Sequence, residues 1–231
     1  MHRILKSSLF PLSALLLMGA DTSWKTKQME QWTEDDARQV LAKSPWVQKT
    51  TPKLLPKQSE NARRQGGKMG GSQGVGLEAI SPASLFGAKP TATHATRPSL
   101  VRPLEVRWES AGPVRAAETK SHEEDAPDLD GGQYAIAVYD VPGLDIDQKT
   151  LPGDLRRESA LARDGKKDLK PSQVELLPQA NGLTTVVFLF PRTEAITVDD
   201  KRVTFTAVFD HLAVAQYFYT KDMQFQGKLD L

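Results

Sequence analysis

The chain has 231 residues, room for one domain of ordinary size plus extensions. Its 30 basic and 29 acidic residues nearly cancel, so no basic excess argues for nucleic acid or for polybasic membrane targeting. There is no cysteine, which excludes disulfides, thiolate metal sites, iron–sulfur clusters, thiol nucleophiles and a lipid-modified N-terminal cysteine.

The first twenty residues carry the layout of a secretory signal peptide. His2, Arg3 and Lys6 form a positive start, Leu9 to Met18 is mostly apolar, and Gly19 and Ala20 are small residues before Asp21. The apolar run is about half the length of roughly 20 residues that a bilayer span needs. Without this segment the chain has 28 basic and 29 acidic residues.

Residues 21–49 form an N-terminal segment built around "WTEDDARQVLAKSPW", Trp32 to Trp46. Thr33 is a good N-cap, and Glu34, Asp35 and Asp36 suit the positive end of the helix dipole. Asp36 stands at the capping-box position, and Pro45 stops the helix after Lys43. Ala37, Val40 and Leu41 share one face. Trp24, Trp32 and Trp46 are candidate contacts for a partner, as aromatic anchors of a docking helix. The competing expectation is that they pack on the chain's own β domain, since so short a helix does not stand without tertiary contacts.

From 50 to 99 the composition shifts to a flexible glycine- and proline-rich linker. Phe86 is its only aromatic residue, prolines recur at 52, 56, 82, 90 and 98, and seven of the sixteen glycines lie between Gly66 and Gly87. Two catalytic-looking patterns fall here. Gly70 to Gly74 fits the nucleophile elbow, with Ser72 at its centre, and Gly74 to Ala79 fits a dinucleotide fingerprint. Both need a preceding strand and a following helix, and neither has them. They are products of composition.

Residues 100–231 read as a β-rich domain. "LVRPLEVRW" alternates, with Leu104, Val106 and Trp108 on one side, and Pro103 marks an edge or a strand start. "ESAGPVRAAETK" suggests one or two helical turns, capped by Ser110 or Gly112, with Pro113 near the first position. Residues 121–132 form an acidic loop holding Glu123, Glu124, Asp125, Asp128 and Asp130. Its order does not match a calcium loop. Tyr134 to Gly143 is a strand.

Leu155 to Ala162 fits helix or strand, and Asp164 with Gly165 signals a hairpin returning through Lys166 to Leu169. Ser172 and Glu175 form a capping box for a short turn of helix before Pro178. Leu183 to Pro191 is a central buried strand. Val203, Phe205, Ala207 and Phe209 alternate, then Leu212, Val214 and Phe218 after a tight turn at Asp210 and His211. Tyr217 and Tyr219 take the opposite face of that strand. "MQFQGKLDL" reads as a last strand.

No site chemistry stands out. His94, His122 and His211 are scattered, with no metal-ligand or triad spacing. Asp199 and Asp200 read as a hairpin turn, with Arg192 as a candidate ion-pair partner. No catalytic, cofactor-binding or metal residue is assigned, and no cofactor is expected.

At "WTEDDARQVLAKSPW", "VRWESAGPVRAA", "FPRTEAITVDDKRVTF" and "KDMQFQGKLDL" the chain resembles a family of uncharacterised exported bacterial proteins, seen chiefly in soil bacteria. In that family a tryptophan-flanked helix precedes a variable glycine-rich linker and a β-rich domain. The resemblance implies export and one β domain, tips Leu155 to Leu169 toward a hairpin, and carries no known activity.

The expected fold is mainly β: an antiparallel sandwich or curved sheet of six to eight strands, with one short N-terminal helix and a long disordered linker. The expected function is an exported, non-enzymatic binding module of the bacterial envelope, in the periplasm or outside the cell and not a lipoprotein. The expected partner is an envelope protein or a ligand, with no nucleic acid and no transmembrane span after signal cleavage. The alternative is a hydrolase or metal-dependent enzyme with a loop-built site using the acidic loop and His122.

Overall fold

A computed structural model describes residues 23–55 and 101–231. The expected signal segment, both glycine motifs, His94 and most of the expected linker lie outside the described residues.

The fold is mainly β, as its alternating sequence requires. A five-stranded sheet has the order β1-β3-β4-β7-β6, and a four-stranded sheet the order β2-β9-β8-β5. The strands of the first are β1 (Val47–Thr50), β3 (Leu104–Trp108), β4 (Gln133–Val141), β6 (Gln173–Pro178) and β7 (Thr184–Pro191). Those of the second are β2 (Lys53–Leu54), β5 (Ala160–Arg163), β8 (Arg202–Phe209) and β9 (Leu212–Tyr219). All their pairings are antiparallel.

Period-two alternation decides which side chains meet between the sheets. Val106, Val138, Val186 and Leu176 stand opposite one another across the larger sheet. From the other side come Val203, Phe205, Phe209, Val214 and Phe218, all buried in the same cluster. Edge-to-face rings bridge the sheets: Trp108 with Phe218 at 5.2 Å and Phe188 with Phe205 at 5.2 Å. Each such pair contributes about 0.5–1.5 kcal/mol beyond area burial.

The N-terminal segment belongs to this body. Helix α1 (Glu34–Lys43) carries the expected capping box, with Asp36 N–H donating to Thr33 Oγ1 at 3.2 Å and Thr33 N–H to Asp36 Oδ2 at 2.9 Å. After it the chain supplies an edge strand to each sheet, β1 then β2. Ordered pairing therefore runs past residue 50, where the linker is expected to begin, to the Leu55 N–H on His211 O at 2.7 Å.

Several local expectations are corrected. The helix after β3, α2 (Gly112–Ser121), has ten residues rather than one or two turns. Burial of Val114 and Ala117 in the main core extends it, and His122 ends it in the left-handed region at φ 54°. Its N-cap is Ala111, not Ser110 or Gly112. A third helix, α3 (Leu151–Arg157), precedes β5, so the ambiguous stretch divides into helix and then strand. The hairpin return is a single bridge, Leu161 with Leu169.

The Ser172–Glu175 capping box is absent because residues 173–178 form edge strand β6. Ser172 Oγ donates to Leu189 O at 3.0 Å, and pairing to β7 outcompetes a helix turn. Pro178 is tolerated at the end of an edge strand. The last segment is a small hairpin, β10 (Gln224–Phe225) and β11 (Lys228–Leu229), rather than one strand. Gln226 and Gly227 both have positive φ, as a two-residue type I′ turn requires.

Candidate functional site

Trp24, Trp32 and Trp46 are 4%, 1% and 0% exposed. Trp24 packs edge-on against Trp32 at 6.0 Å and Trp46 at 6.1 Å, and Trp32 against Phe225 at 5.6 Å. Trp32 Nε1 donates to Trp24 O at 3.0 Å and Trp46 Nε1 to Asp230 O at 2.7 Å. The rings join the N-terminal segment to the C-terminal hairpin. As placed, they offer no open face to a partner, because the same apolar surface closes the chain's own core.

The polar residues singled out in the sequence do not converge. His211 sits in the β8–β9 turn with Nδ1 2.6 Å from Asp210 Oδ2, and Asp210 has φ 52°. His122 is exposed at the end of α2. In the acidic loop Glu123 is drawn to Arg107 at 3.1 Å, and Asp130 accepts the Gly132 N–H at 3.1 Å. Among the described residues no three His, Asp or Glu side chains are grouped to hold a metal ion.

Asp199 and Asp200 lie in a 3-10 turn, Val198–Asp200, ahead of β8. Asp200 pairs with Lys166 at 2.6 Å, not with Arg192. Arg192, in the turn just after β7 of the other sheet, stacks on Tyr134 at 4.4 Å and donates to Leu231 O.

Two arrangements were not read from the sequence. The first is a buried acid cluster on the outer side of β3 and β4. Arg107 is 2.6 Å from Glu105, 3.5 Å from Glu118 and 3.1 Å from Glu123, and it stacks on Tyr139 at 4.3 Å. Tyr139 Oη donates to Glu109 Oε1 at 2.7 Å. Glu118, from α2, lies within hydrogen-bonding reach of Glu109.

Four carboxyls around one guanidinium cannot all ionise in so buried a place. Glu109 Oε2 and Glu118 Oε1 make no hydrogen bond in the protein, although Arg107 Nη1 lies 3.5 Å from Glu118 Oε1; a proton shared between the two carboxyls would supply the missing donor. Burial first, then the neighbouring Glu109 carboxyl, pushes Glu118 up to about 10. Burial likewise raises Glu109. Because Glu109 is 0% exposed, the cluster fastens α2 to the sheet rather than meeting a substrate.

The second arrangement is a groove of about 700 Å³ at the seam between the sheets. It is lined by Lys25, Lys43, Ser44 and Gln48 from the N-terminal segment, and by Gln216, Tyr217, Tyr219, Lys221 and Asp222 at the end of β9. It has the volume of a small-ligand site, but it is a half-open, largely polar depression rather than an enclosed apolar pocket. It exists because β2 pairs only with Leu212 and Ala213, so the second half of β9 has no strand beside it on that side.

Both glutamines stand at inward-facing positions. Gln48 is opposite Val106, and Gln216 is opposite Phe205, each in a row that is otherwise core. Gln48 Nε2 donates to Pro45 O at 3.2 Å and Gln216 Nε2 to Tyr217 O at 2.9 Å. Ser44 is 2% exposed, and its hydroxyl has no hydrogen-bond partner in the protein. Lys25 lies over the Trp24 ring at 5.4 Å, and the Arg202 guanidinium over Tyr217 at 4.8 Å. Polar groups at core positions beside a cleft are the kind of local rule-breaking that marks a site.

Fold and groove together define a two-sheet β-sandwich with a ligand-sized cleft at its seam. Comparison with protein-family models, with curated proteins and with solved structures returns no match. No helix among the described residues is long and apolar enough to cross a membrane.

Proposed function

We propose that this chain is an exported, non-enzymatic binding protein of the bacterial envelope that takes a ligand in the seam groove. Export rests on the positive, apolar and small-residue order of residues 1–20. The observation that carries the binding role is the pair Gln48 and Gln216, amides held at core-facing positions around a cleft of about 700 Å³. The test is a thermal-shift screen of the full chain against fractionated envelope extract. A fraction that raises the melting temperature of the natural chain, but not of a Gln48→Leu/Gln216→Leu variant, supports the reading. A shift that survives in the variant removes the groove from the function.

A further inference from the structure

Residues 123–132 carry neither helix nor strand and run as a strap from the end of α2 to the start of β4. Pro127 is buried, and Leu129 packs on Ala135, Ala137, Tyr139 and Val187. These four stand on the outer side of the larger sheet. Antiparallel sheets commonly turn one face to water, but this face is apolar where the strap crosses it. The strap has a joint at each end, His122 at φ 54° and Gly131 at φ 77°. Polar ties hold it down: Arg115 Nη1 donates to Leu129 O at 3.2 Å, and Glu123 pairs with Arg107 at 3.1 Å.

The buried acid cluster adjoins this face. Arg107, Ala137 and Val187 stand opposite one another in one row across β3, β4 and β7. We propose that Glu109 and Glu118 form a proton-operated latch on the strap. While they share a proton, the strap lies on the sheet. When they lose it, Glu123 leaves Arg107 and residues 123–132 swing out on His122 and Gly131. The latch works independently of the groove, since none of its residues lines it.

The charges around the pair come from every side. Glu105 and Arg107 lie on β3, Tyr139 on β4, Glu118 on α2 and Glu123 on the strap. His122 and Glu124, beside Glu123, are exposed. Helix α1 packs on α2, and the one charge of its buried face, Asp36, is held by Lys27, Ser23 and Thr33. The 3-10 turn Met29–Gln31 also meets α2, with Glu30 exposed. Burial pushes the Tyr139 phenol up, so it keeps its proton.

One guanidinium therefore faces three negative charges while the pair holds its proton, and four once it is lost. The fourth cannot stay in so buried a place unpaired. Arg107 Nη1 makes no hydrogen bond and lies 3.5 Å from Glu118 Oε1, so an ionised Glu118 draws the guanidinium toward itself. Glu123 is the carboxylate free to go. Its side chain is 30% exposed, against 8% for Glu118 and 17% for Glu105.

Burial, then the neighbouring Glu109 carboxyl, raises Glu118 in the closed form from 4.5 to about 10. A raised group favours closure below its ordinary value and loses that effect as pH climbs to the closed value. The ratio of open to closed strap should rise about tenfold per pH unit across that window.

The experiment is methyl NMR of the full chain from about pH 6 to about pH 10, spanning most of that rise. Overhauser contacts from Leu129 to Ala135, Ala137 and Val187 report the strap. Contacts among Val106, Val138 and Val186, opposite one another on the inner face, report the sandwich. Strap contacts are expected to fade toward high pH while the inner contacts persist. Glu118→Gln and Glu109→Gln each put an amide hydrogen where the shared proton sat and should keep the strap closed throughout. Glu123→Ala cuts the tie to Arg107 and should make the strap contacts the same at both ends of the range.

Strap contacts that persist to high pH in the natural chain overturn the latch. Strap and inner contacts that vanish together show global unfolding and overturn it too. A pH-dependent loss that survives in both glutamine variants, or keeps its profile in Glu123→Ala, assigns the release to other groups. If neither glutamine variant folds, Glu123→Ala decides alone.

Discussion

Asp230 caps a helix that begins 118 residues before it: its Oδ1 accepts the Gly112 N–H at 2.7 Å, at the first turn of α2. The N-cap residue itself, Ala111, has no side-chain acceptor to give. A carboxylate at this end meets both the orphan N–H groups and the positive end of the helix dipole.

A Cβ at 112 would stand 2.8 Å from Asp230 Oδ2, so any larger residue there forces the carboxylate to shift and loosens its cap on the helix. Asp230→Ala is expected to cost about 1 kcal/mol, lowering the melting temperature by about 2–4 °C. Gly112→Ala is destabilising in the natural chain. In the Asp230→Ala background it should become neutral or stabilising, because alanine is the better helix former and the clash is gone. A thermal double-mutant cycle reads this coupling, and additive effects would show that the two residues do not touch.

The tryptophans give a second, larger effect. Trp32 is fully enclosed by Trp24 and Phe225, and its Nε1 is hydrogen-bonded. Trp32→Ala opens a cavity and is expected to cost about 3–5 kcal/mol. Loss should appear as one cooperative transition at lower denaturant concentration, monitored by circular dichroism, since the N-terminal segment and the sandwich share one core. An unchanged midpoint would mean that the segment is peripheral.

What could be read from the sequence follows what is local. The alternation of Val203, Phe205, Ala207 and Phe209, the Asp210 turn and the Thr33–Asp36 capping box are each written within a few residues, and each stands in the structure. Contacts set by long-range pairing were not legible. Glu109 meets Glu118 only because α2 folds back over β3, and Asp230 caps α2 only because the last hairpin reaches it. The Ser172–Glu175 signal misled because a helix cap and an edge strand share residue types, and pairing to β7 decides between them. The groove left one faint trace: Gln216 interrupts the apolar alternation from Val214 to Phe218, and only the register on β8 shows that it faces inward.

The buried acid pair predicts a pH dependence of definite sign. Both carboxyls are raised in the folded chain, Glu118 from 4.5 to about 10. A raised group gives its full stability below its unfolded value, and that stability is lost as pH climbs toward the folded value. From about pH 5 to pH 9 the melting temperature should therefore fall. Glu118→Gln keeps a hydrogen-bonding side chain without a titrating proton and should flatten the fall.

Asp36 works in the opposite sense. Burial pushes its carboxyl up, but hydrogen bonds from Lys27, Ser23 and Thr33 outweigh burial and hold it well below the ordinary range. Its contribution is present above about pH 4 and lost in stronger acid. Melting curves across pH 2–10 check both arms. A natural chain and a Glu118→Gln variant with parallel alkaline slopes would refute the shared proton.

The two inward glutamines offer the sharpest separation of stability from function. At Gln48 and Gln216 the rows across the sheets are otherwise apolar, so leucine or valine there continues the core and narrows the groove. Residues kept for binding at the expense of packing typically return about 0.5–2 kcal/mol when replaced. Gln216→Val should therefore raise the melting temperature by a few degrees, and Gln48→Leu should add to it. The carbonyls that the amides now serve, Tyr217 O and Pro45 O, lie beside the cleft, where water can take over. The same variants should lose binding of whatever fraction or probe stabilises the natural chain. A fall in melting temperature on replacement would instead make the amides structural ties that hold the seam open, and the groove a consequence of the fold rather than its purpose.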